Sequence, residues 1–185
     1  AALKVVTDLD QVSDDRPIVG LEPSAILTLR DEFTRFGIEP EKVERIKRRT
    51  FLVEEFLAME MEAGSISPDQ FTDEACTVHV HGHCHQKALS DPNKTVYVLG
   101  VPRNYKVHYI PSGCCGMAGS FGYEKEHYEV SMAIGNLVLF PHIKAQDSGV
   151  LFAANGTSCR HQILDGTAIK AAHPVTILRN ALRSS

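Results

Sequence analysis

Three runs of β-forming residues in the second half of the chain are each followed by a turn that carries cysteine. The runs are residues 75–80 (ACTVHV), 106–110 (KVHYI) and 149–154 (GVLFAA). Helical patterns follow them, at 124–139, after Pro141 and in the closing segment PVTILRNAL. Strands that alternate with helices form parallel sheets built of βαβ units. The sequence therefore predicts an α/β fold with mainly parallel sheets, and with cysteines on turns at the carboxyl edge of the strands.

The first part of the chain repeats this plan. Residues 17–21 (PIVGL) are predicted to form a strand, a helix is predicted to start at Glu22, and residues 40–63 are predicted to form one long amphipathic helix. The turn-rich segment 64–71 then separates two related units, at 1–70 and 71–185. The segments PIVGLEPSAILTLRDEF and VLFAANGTSCRHQILDG share a strand, a turn and a helix start, so that Ala25 corresponds to Cys159.

The composition excludes several classes of protein. Of the 185 residues, 43% are hydrophobic and 23% charged, and the net charge is −4. Such a chain has no basic field for nucleic acid, and no apolar run reaches the roughly 18 to 20 residues of a membrane span. Five cysteines, two of them adjacent, argue against a secreted disulfide framework and favour a reducing, cytoplasmic location. The chain begins without Met, so we expect a fragment of a longer protein.

The cysteines on the predicted turns are candidate ligands of one metal site. They are Cys84, Cys114, Cys115 and Cys159. The carboxyl ends of parallel strands meet at one edge of a sheet, so thiols that are distant in sequence converge there. Cys84 and Cys159 are predicted at helix N-termini, where the helix dipole lowers the pKa of a thiol and favours the metal-binding thiolate.

The glycines on either side of the adjacent pair support the same interpretation. Gly113 and Gly116 allow the backbone to turn tightly enough to direct both sulfurs at one site. Adjacent cysteines are poor disulfide partners, so metal or cluster ligation is the simpler use. Cys76, within the first predicted strand, is instead expected to act as a small buried hydrophobe.

Four histidines alternate in the segment HVHGHCH, at His79, His81, His83 and His85. In a continuous strand they would share one face, a spacing that can hold zinc. The aspartate of the H-x-H-x-D-H motif is missing, however, and Cys84 stands in its place. We therefore expect most of these histidines to face solvent or to hydrogen-bond near the site. His85 is the one expected to matter, as a hydrogen-bond donor to a ligand sulfur.

Several segments together resemble the cysteine-rich, or CCG, domain. They are GLEPS with ILTLRDEF, HGHCHQKAL, SGCCGMAGSFGYEKEHYEVSMAIG, GTSCRHQI and AAHPV. This family includes the cysteine-rich subunit of heterodisulfide reductase, the iron–sulfur subunits of glycolate oxidase and of anaerobic glycerol-3-phosphate dehydrogenase, and lactate-utilisation proteins. The similarity is greatest to the C-terminal part of FAD-linked oxidase fusion proteins, and it covers most of residues 18–178.

The resemblance implies two repeats, each able to hold a 4Fe-4S cluster through cysteines in the pattern C…CC…C-x-x-C. Residues 1–70 would be the C-terminal remainder of the first repeat, and 71–185 would be the second repeat, which supplies the cluster ligands Cys84, Cys114, Cys115 and Cys159. The chain departs from the pattern at Gln162, in place of the last cysteine, and at Ala25, in place of the cysteine of EPSC. The residues expected beside the ligands are His85, Gly113, Gly116, His161 and Gln162.

The function implied is that of an iron–sulfur electron-transfer module of an FAD-linked 2-hydroxy acid oxidoreductase, of the lactate, glycolate or 2-hydroxyglutarate type. FAD and a ferredoxin-like iron–sulfur segment would belong to another domain or subunit, because nothing in the chain resembles a flavin site. We therefore expect the chain alone to lack dehydrogenase activity, and to meet a membrane only through partners.

Two alternatives remain open at this point. Four thiolates equally suit a tetrahedral zinc ion, so the chain could be a structural zinc-binding interaction module without a redox role. A thiol catalyst that uses Cys114 and Cys115 on a disulfide is the third hypothesis.

Overall fold

A computed structural model describes residues 2–12 and 16–183, and it has two sheets of parallel strands. The first sheet pairs β1 (Ile18–Gly20) with β2 (Thr50–Leu52), with Ile18 opposite Thr50. The second sheet has the strand order β4 (Tyr105–Tyr109), β3 (Cys76–His81) and β5 (Leu151–Ala154). These sheets confirm the predicted α/β fold.

Helices connect and cover the strands in the described part of the chain. They are α1 (Ala2–Asp10), α2 (Pro23–Ile26), α3 (Pro40–Arg48), α4 (Val53–Glu62), α5 (Cys84–Leu89), α6 (Asn93–Leu99), α7 (Tyr128–Leu137), α8 (Leu139–Lys144), α9 (Thr157–Thr167) and α10 (Pro174–Ala181). Short 3-10 turns lie at Leu27–Leu29, Glu32–Arg35, Pro68–Gln70 and Phe121–Tyr123. The helix predicted from Glu22 is thus a single turn, α2, followed by 3-10 structure.

The predicted continuous helix over residues 40–63 is wrong in its middle. The chain forms α3, then the strand β2, then α4. Strand β2 pairs with β1 and buries Leu52 completely, and Glu55 Oε2 accepts a hydrogen bond from Leu52 N–H at 2.8 Å. Pairing with β1 satisfies the backbone hydrogen-bonding groups of β2 and buries apolar surface. It therefore overrides the helical pattern of the residues on either side of β2.

Helices cover both faces of the second sheet. On one face Val78 and Val80 of β3 pack in a buried cluster with residues of α4, α6 and α10. On the other face Phe152 of β5 packs with residues of α7, α8 and α9. Helix α4, which precedes the predicted boundary at residue 70, therefore contributes Ala58 to the core around the second sheet. The division into repeats at 1–70 and 71–185 stays a prediction.

Candidate metal centre

Four cysteines converge at the carboxyl edge of the three-stranded sheet. Cys84 follows β3, Cys114 and Cys115 follow β4, and Cys159 lies in the first turn of α9 after β5. All four line one cavity of about 390 Å³. Cys115 and Cys159 are buried, Cys114 is half-buried and Cys84 is exposed. The cavity therefore has two thiols at its buried end and opens to solvent near Cys84.

Local backbone structure sets the direction of each thiol. Cys84 is the first residue of α5, and Cys159 is the third residue of α9. Both thus lie in the first turn of a helix, where backbone N–H groups and the helix dipole favour a thiolate. At Gly156, the residue before α9, an added Cβ would lie 2.3 Å from His83 Cδ2 and 3.2 Å from Cys159 Sγ. Because glycine has no side chain, the turn between β5 and α9 can pack directly against His83.

Contacts from two helices hold the loop that carries Cys114 and Cys115. Gly116 has φ +102°, and its N–H donates to Cys114 Sγ at 3.2 Å. An added Cβ on Gly116 would lie 2.1 Å from the carbonyl oxygen of Ser131 in α7. From α5, Lys87 Nζ donates to the carbonyl oxygens of Ser112 and Gly113, both at 2.7 Å.

The thiols lie close enough to hydrogen-bond with one another, and these bonds separate their pKa values. Hydrogen bonds from Cys115 and Cys84 lower the pKa of Cys114. The bond to Cys114, together with burial, raises the pKa of Cys84. Bonds to Cys114 and Cys159, together with burial, raise the pKa of Cys115, and the bond from Cys115 lowers the pKa of Cys159. In the metal-free protein these hydrogen bonds therefore favour the thiolate form at Cys114 and Cys159 over Cys84 and Cys115.

His81, the last residue of β3, lies beside the two buried thiols, Cys115 and Cys159. One ring nitrogen of His81 and the sulfurs of Cys115 and Cys159 lie within 4.8 Å of one another, and all three residues are buried. The Nδ1 atom of His81 is 2.8 Å from Ser112 Oγ. Its Nε2 atom is buried and has no hydrogen-bond partner among residues 2–12 and 16–183. The sequence prediction passed over His81 in favour of His85.

His83 lies beside the cavity with both ring nitrogens facing other groups. Its Nδ1 atom accepts a hydrogen bond from the backbone N–H of His85 at 3.1 Å, and its Nε2 atom is 4.0 Å from Glu22 Oε1. Burial lowers the pKa of His83. Glu22 also accepts a hydrogen bond from Thr157 N–H at 2.8 Å, at the N-terminus of α9. The first part of the chain therefore contributes to the wall of the site, where Ser24 also lies.

The residues expected beside the ligands have different positions. His85 lines the cavity, with its Nε2 atom 3.8 Å from Glu32 Oε1. His161 is exposed, and its Nδ1 atom is 2.6 Å from the hydroxyl oxygen of Tyr123. Gln162 is buried and donates from Nε2 to Ser131, to the carbonyl oxygen at 3.1 Å and to Oγ at 2.9 Å. Of these three, only His85 lines the cavity.

Two further positions bear on the predicted cysteine pattern. Ala25 is the third residue of α2, and Cys159 is the third residue of α9. Ala25 lines a different cavity, with Val19 and Leu29. Cys76 begins β3, half-buried against the core on the valine face of the sheet, and burial raises its pKa.

The donor set suits a metal centre. Thiolates are the ligands of iron–sulfur clusters and of structural zinc, and imidazole is a common ligand of zinc and iron. A buried ring nitrogen without a partner costs free energy unless something binds it. A bound metal or cluster would provide a partner for the Nε2 atom of His81 and for the four thiols around the cavity.

The fold and this site define an α/β protein whose cysteines gather at a sheet edge, and its relatives are dehydrogenases. One component of the anaerobic glycerol-3-phosphate dehydrogenase of Escherichia coli K12 is 29% identical over 170 residues, which cover 90% of this chain and 40% of that protein. D-2-hydroxyglutarate dehydrogenase from the same strain is 28% identical over 170 residues, 90% of this chain and 16% of the relative. The protein of that name from Pseudomonas putida is 25% identical over 181 residues, 96% of this chain and 16% of the relative.

The chain thus spans less than half the length of these relatives. Their names are those of dehydrogenases, and one of them is a subunit of the anaerobic glycerol-3-phosphate dehydrogenase that the sequence resemblance named. No protein-family profile and no solved structure matches the chain. In the part of the chain that the structure describes, no helix has the length and apolar character that crossing a membrane requires.

Proposed function

We propose that this chain is an iron–sulfur electron-transfer module of a flavin-linked dehydrogenase, of the type that acts on 2-hydroxy acids. The observation that carries the proposal is the meeting of four thiols, from the ends of three strands, around one cavity of about 390 Å³. The ligands would be Cys84, Cys114, Cys115 and Cys159. A disulfide-based role needs one reactive pair, whereas four convergent thiols match the ligand number of a 4Fe-4S cluster.

The chain's own residues would hold the sulfurs and control access of water. Gly116 N–H and the helix N-termini supply positive partial charge to thiolates. Cys115 and Cys159 are shielded by the core on one side, while Cys84 lies at the solvent side. A cluster bound there would accept and release single electrons, which suits exchange with a reduced flavin. The open side near Cys84 is where a partner carrier would approach.

The relatives' names support a role within a larger assembly. They are dehydrogenases of which this chain matches 40% or 16% of the length. We propose that a flavin-binding domain or subunit, together with a ferredoxin-like iron–sulfur segment, lies outside this chain, and that the chain alone does not oxidise substrate. We also propose that residues 1–70 and 71–185 are the remainder of a first repeat and a complete second repeat, since Ala25 and Cys159 occupy equivalent helix positions.

Metal analysis of the chain, purified and reconstituted without oxygen, tests the proposal. We expect close to four irons and four acid-labile sulfides per chain, and an electron paramagnetic resonance signal that changes on reduction. Replacing Cys115 with Ser should abolish most of the bound iron, whereas the matched control Cys76→Ser, outside the cavity, should retain it. Absence of iron after anaerobic reconstitution would overturn the cluster assignment.

A structural zinc site is the second candidate, and one observation favours it. His81, Cys115 and Cys159 offer three donor atoms within 4.8 Å of one another, and a fourth thiol would complete a tetrahedron. This alternative predicts one zinc per chain and no redox signal. Removing the metal should then lower the free energy of unfolding without any effect on electron transfer.

A further inference from the structure

We propose that His81 is a direct ligand of the bound metal centre through Nε2 and takes the place of one of the four thiolates, so that the site has mixed thiolate and imidazole ligation. The inference rests on the proposed metal-binding function and specifies its ligand set. It does not depend on whether the centre is an iron–sulfur cluster or zinc.

The burial and partners of His81 carry the argument. The side chain is 1% exposed, and its Nε2 atom makes no hydrogen bond of normal geometry in the described part of the chain, although the ring lies close enough to Cys159 to lower the pKa of that thiol. A histidine that only fills a core pairs both nitrogens, because an unpaired buried polar atom costs about 1 to 3 kcal/mol. One ring nitrogen of His81 lies within 4.8 Å of the sulfurs of Cys115 and Cys159. Because Nδ1 faces Ser112 Oγ, Nε2 is the nitrogen left to face these sulfurs. A metal ion there would take up the lone pair of Nε2.

Ser112 offers a partner to the tautomer that ligation needs. Nδ1 of His81 lies 2.8 Å from Ser112 Oγ. In the tautomer with its proton on Nδ1, Nδ1–H donates to that oxygen and Nε2 keeps its lone pair. Metal-binding histidines nearly always donate their second nitrogen to such a partner, which fixes the orientation of the ring. Lys87 Nζ, from α5, donates to the carbonyl oxygen of Ser112 at 2.7 Å. The residue that contacts the His81 ring is thus itself held in place.

The other candidates for a nitrogen or amide ligand face other groups, whereas His81 forms a group of close donor atoms with Cys115 and Cys159. Gln162 is bonded to Ser131 through Nε2. The Nδ1 atom of His83 accepts the His85 N–H, and its Nε2 atom faces Glu22. The His85 ring faces Glu32. His81 is therefore the nitrogen donor that the fold directs at the two buried sulfurs.

Ligation by His81 has an electronic consequence. A neutral imidazole in place of a thiolate makes the ligand set one charge less negative. Replacing cysteine by histidine raises the reduction potential of iron–sulfur centres. The variant His81→Cys should therefore keep the metal but show a lower reduction potential than the wild type.

The test uses the full chain loaded with iron and sulfide, or with zinc, without oxygen. In the iron form, pulsed electron paramagnetic resonance of the reduced centre should show a directly coordinated nitrogen, which ¹⁵N-histidine labelling identifies. In the zinc form, X-ray absorption should show one nitrogen among the sulfur ligands. The nitrogen signal should disappear in His81→Cys and persist in the matched control His85→Ala. Ser112→Ala should keep the signal and weaken metal retention about tenfold or more.

The outcomes separate the inference from the proposed function. If the wild type binds neither iron nor zinc, the proposed function fails. If it binds metal but shows no coordinated nitrogen, or if His81→Cys keeps the nitrogen signal, only the inference about His81 fails. His81→Ala would leave a hole beside the core, so His81→Cys supplies the test: it keeps a ligand atom at this position, and circular dichroism of the metal-free form checks its fold.

Discussion

Gly116 shows how a single residue controls the geometry of the cysteine loop. Its φ of +102° is a backbone conformation that side chains rarely adopt. The Cβ of any other residue would also lie 2.1 Å from the carbonyl oxygen of Ser131. Gly116 was expected to allow a tight turn of the cysteine loop. The close approach of α7 is a second reason why glycine is needed at this position.

Gly116→Ala should therefore lose bound metal and stability together. We expect the free energy of unfolding to fall by more than about 2 kcal/mol, because backbone strain adds to the clash with α7. Gly113→Ala is the matched control, since an added Cβ at Gly113 meets nothing within 4 Å. Urea unfolding and metal content measured in parallel check both variants. Equal behaviour of the two would contradict the assignment of Gly116 as the constrained position.

Glu54 is a buried carboxyl group outside the metal site. It is fully buried, and neither carboxylate oxygen makes a hydrogen bond of normal geometry among the described residues. Burial raises its pKa from 4.5 to about 7, against smaller lowering effects of its own backbone and of Asn155. His173 Nε2 lies 4.0 Å away but donates to the carbonyl oxygen of Leu21, and burial lowers the pKa of His173. Glu54 is therefore mostly protonated in the folded protein at mildly acidic pH.

This raised pKa predicts a pH dependence of stability. Below pH 4.5 the carboxyl group is protonated in both states, and between pH 4.5 and about 7 the unfolded chain loses its proton first. Glu54 should therefore lower the free energy of unfolding across this window by up to about 1.4 kcal/mol per pH unit, while His83 and His173, whose pKa values burial lowers, act in the opposite direction. Glu54→Gln should remove the contribution of Glu54 and so change the slope, whereas the exposed control Glu41→Gln should keep the wild-type slope. Urea unfolding at pH 4.5, 6 and 7.5 measures the difference, and an unchanged slope in Glu54→Gln would disprove it.

At the scale of elements, α7 and α9 are joined beneath the cysteine loop by Gln162. Its Nε2 atom donates to both the carbonyl oxygen and Oγ of Ser131. The resemblance in sequence placed a cysteine ligand at this position, but the structure directs the side chain away from the cavity. Which way a residue in the first turns of a helix points depends on the neighbouring helix, and the local sequence does not specify that contact.

Gln162→Cys should therefore fail to add a ligand. We expect its metal content to equal that of Gln162→Ala. Both variants should lose about 1 to 3 kcal/mol of unfolding free energy, because Ser131 is left without its buried donor. Metal analysis and thermal unfolding of the two variants, side by side, check this. A higher iron content in Gln162→Cys alone would show that position 162 reaches the centre.

At the scale of the whole molecule, a partly buried ion pair joins the first part of the chain to the second. Arg30 donates to both carboxylate oxygens of Glu55, at 3.0 and 2.5 Å, and to the carbonyl oxygen of Thr50 at 2.6 Å. Ser90, at the end of α5, donates to the same carboxylate at 2.6 Å. Burial alone would raise the pKa of Glu55, but the bonds from Arg30 and Ser90 lower it below 4.5. The helix that begins at Cys84 is thereby fixed against the first sheet.

Arg30→Met should destabilise the whole chain by about 2 to 4 kcal/mol, since it leaves a partly buried carboxylate without its cation. The exposed pair of Lys4 and Asp8, 2.7 Å apart, supplies the control. Lys4→Met should change the free energy of unfolding by less than about 0.5 kcal/mol. Urea unfolding followed by circular dichroism measures both. A loss in Arg30→Met no larger than in the control would show that the pair contributes nothing to joining the two parts.

Much of the fold could be predicted from local patterns in the sequence. The strands β3, β4 and β5 and the position of cysteines after them follow from runs of β-formers and the turns that end them. The split of residues 40–63 could not be predicted, because Thr50–Leu52 becomes a strand only by pairing with β1. Hydrogen bonds between strands that are distant in sequence leave no periodic signal in either segment.

The sequence by itself determined that this is an α/β chain whose cysteines gather at one edge of a parallel sheet. Only the tertiary structure decided which side chains face the cavity. The sequence favoured His85 among the four alternating histidines. In the structure β3 ends at His81, whose ring lies beside the buried thiols, while His83 caps α5 and His85 lies in its first turn. The physical reason is that ligand geometry depends on where a strand ends and what packs over it, and both are settled by contacts between distant segments.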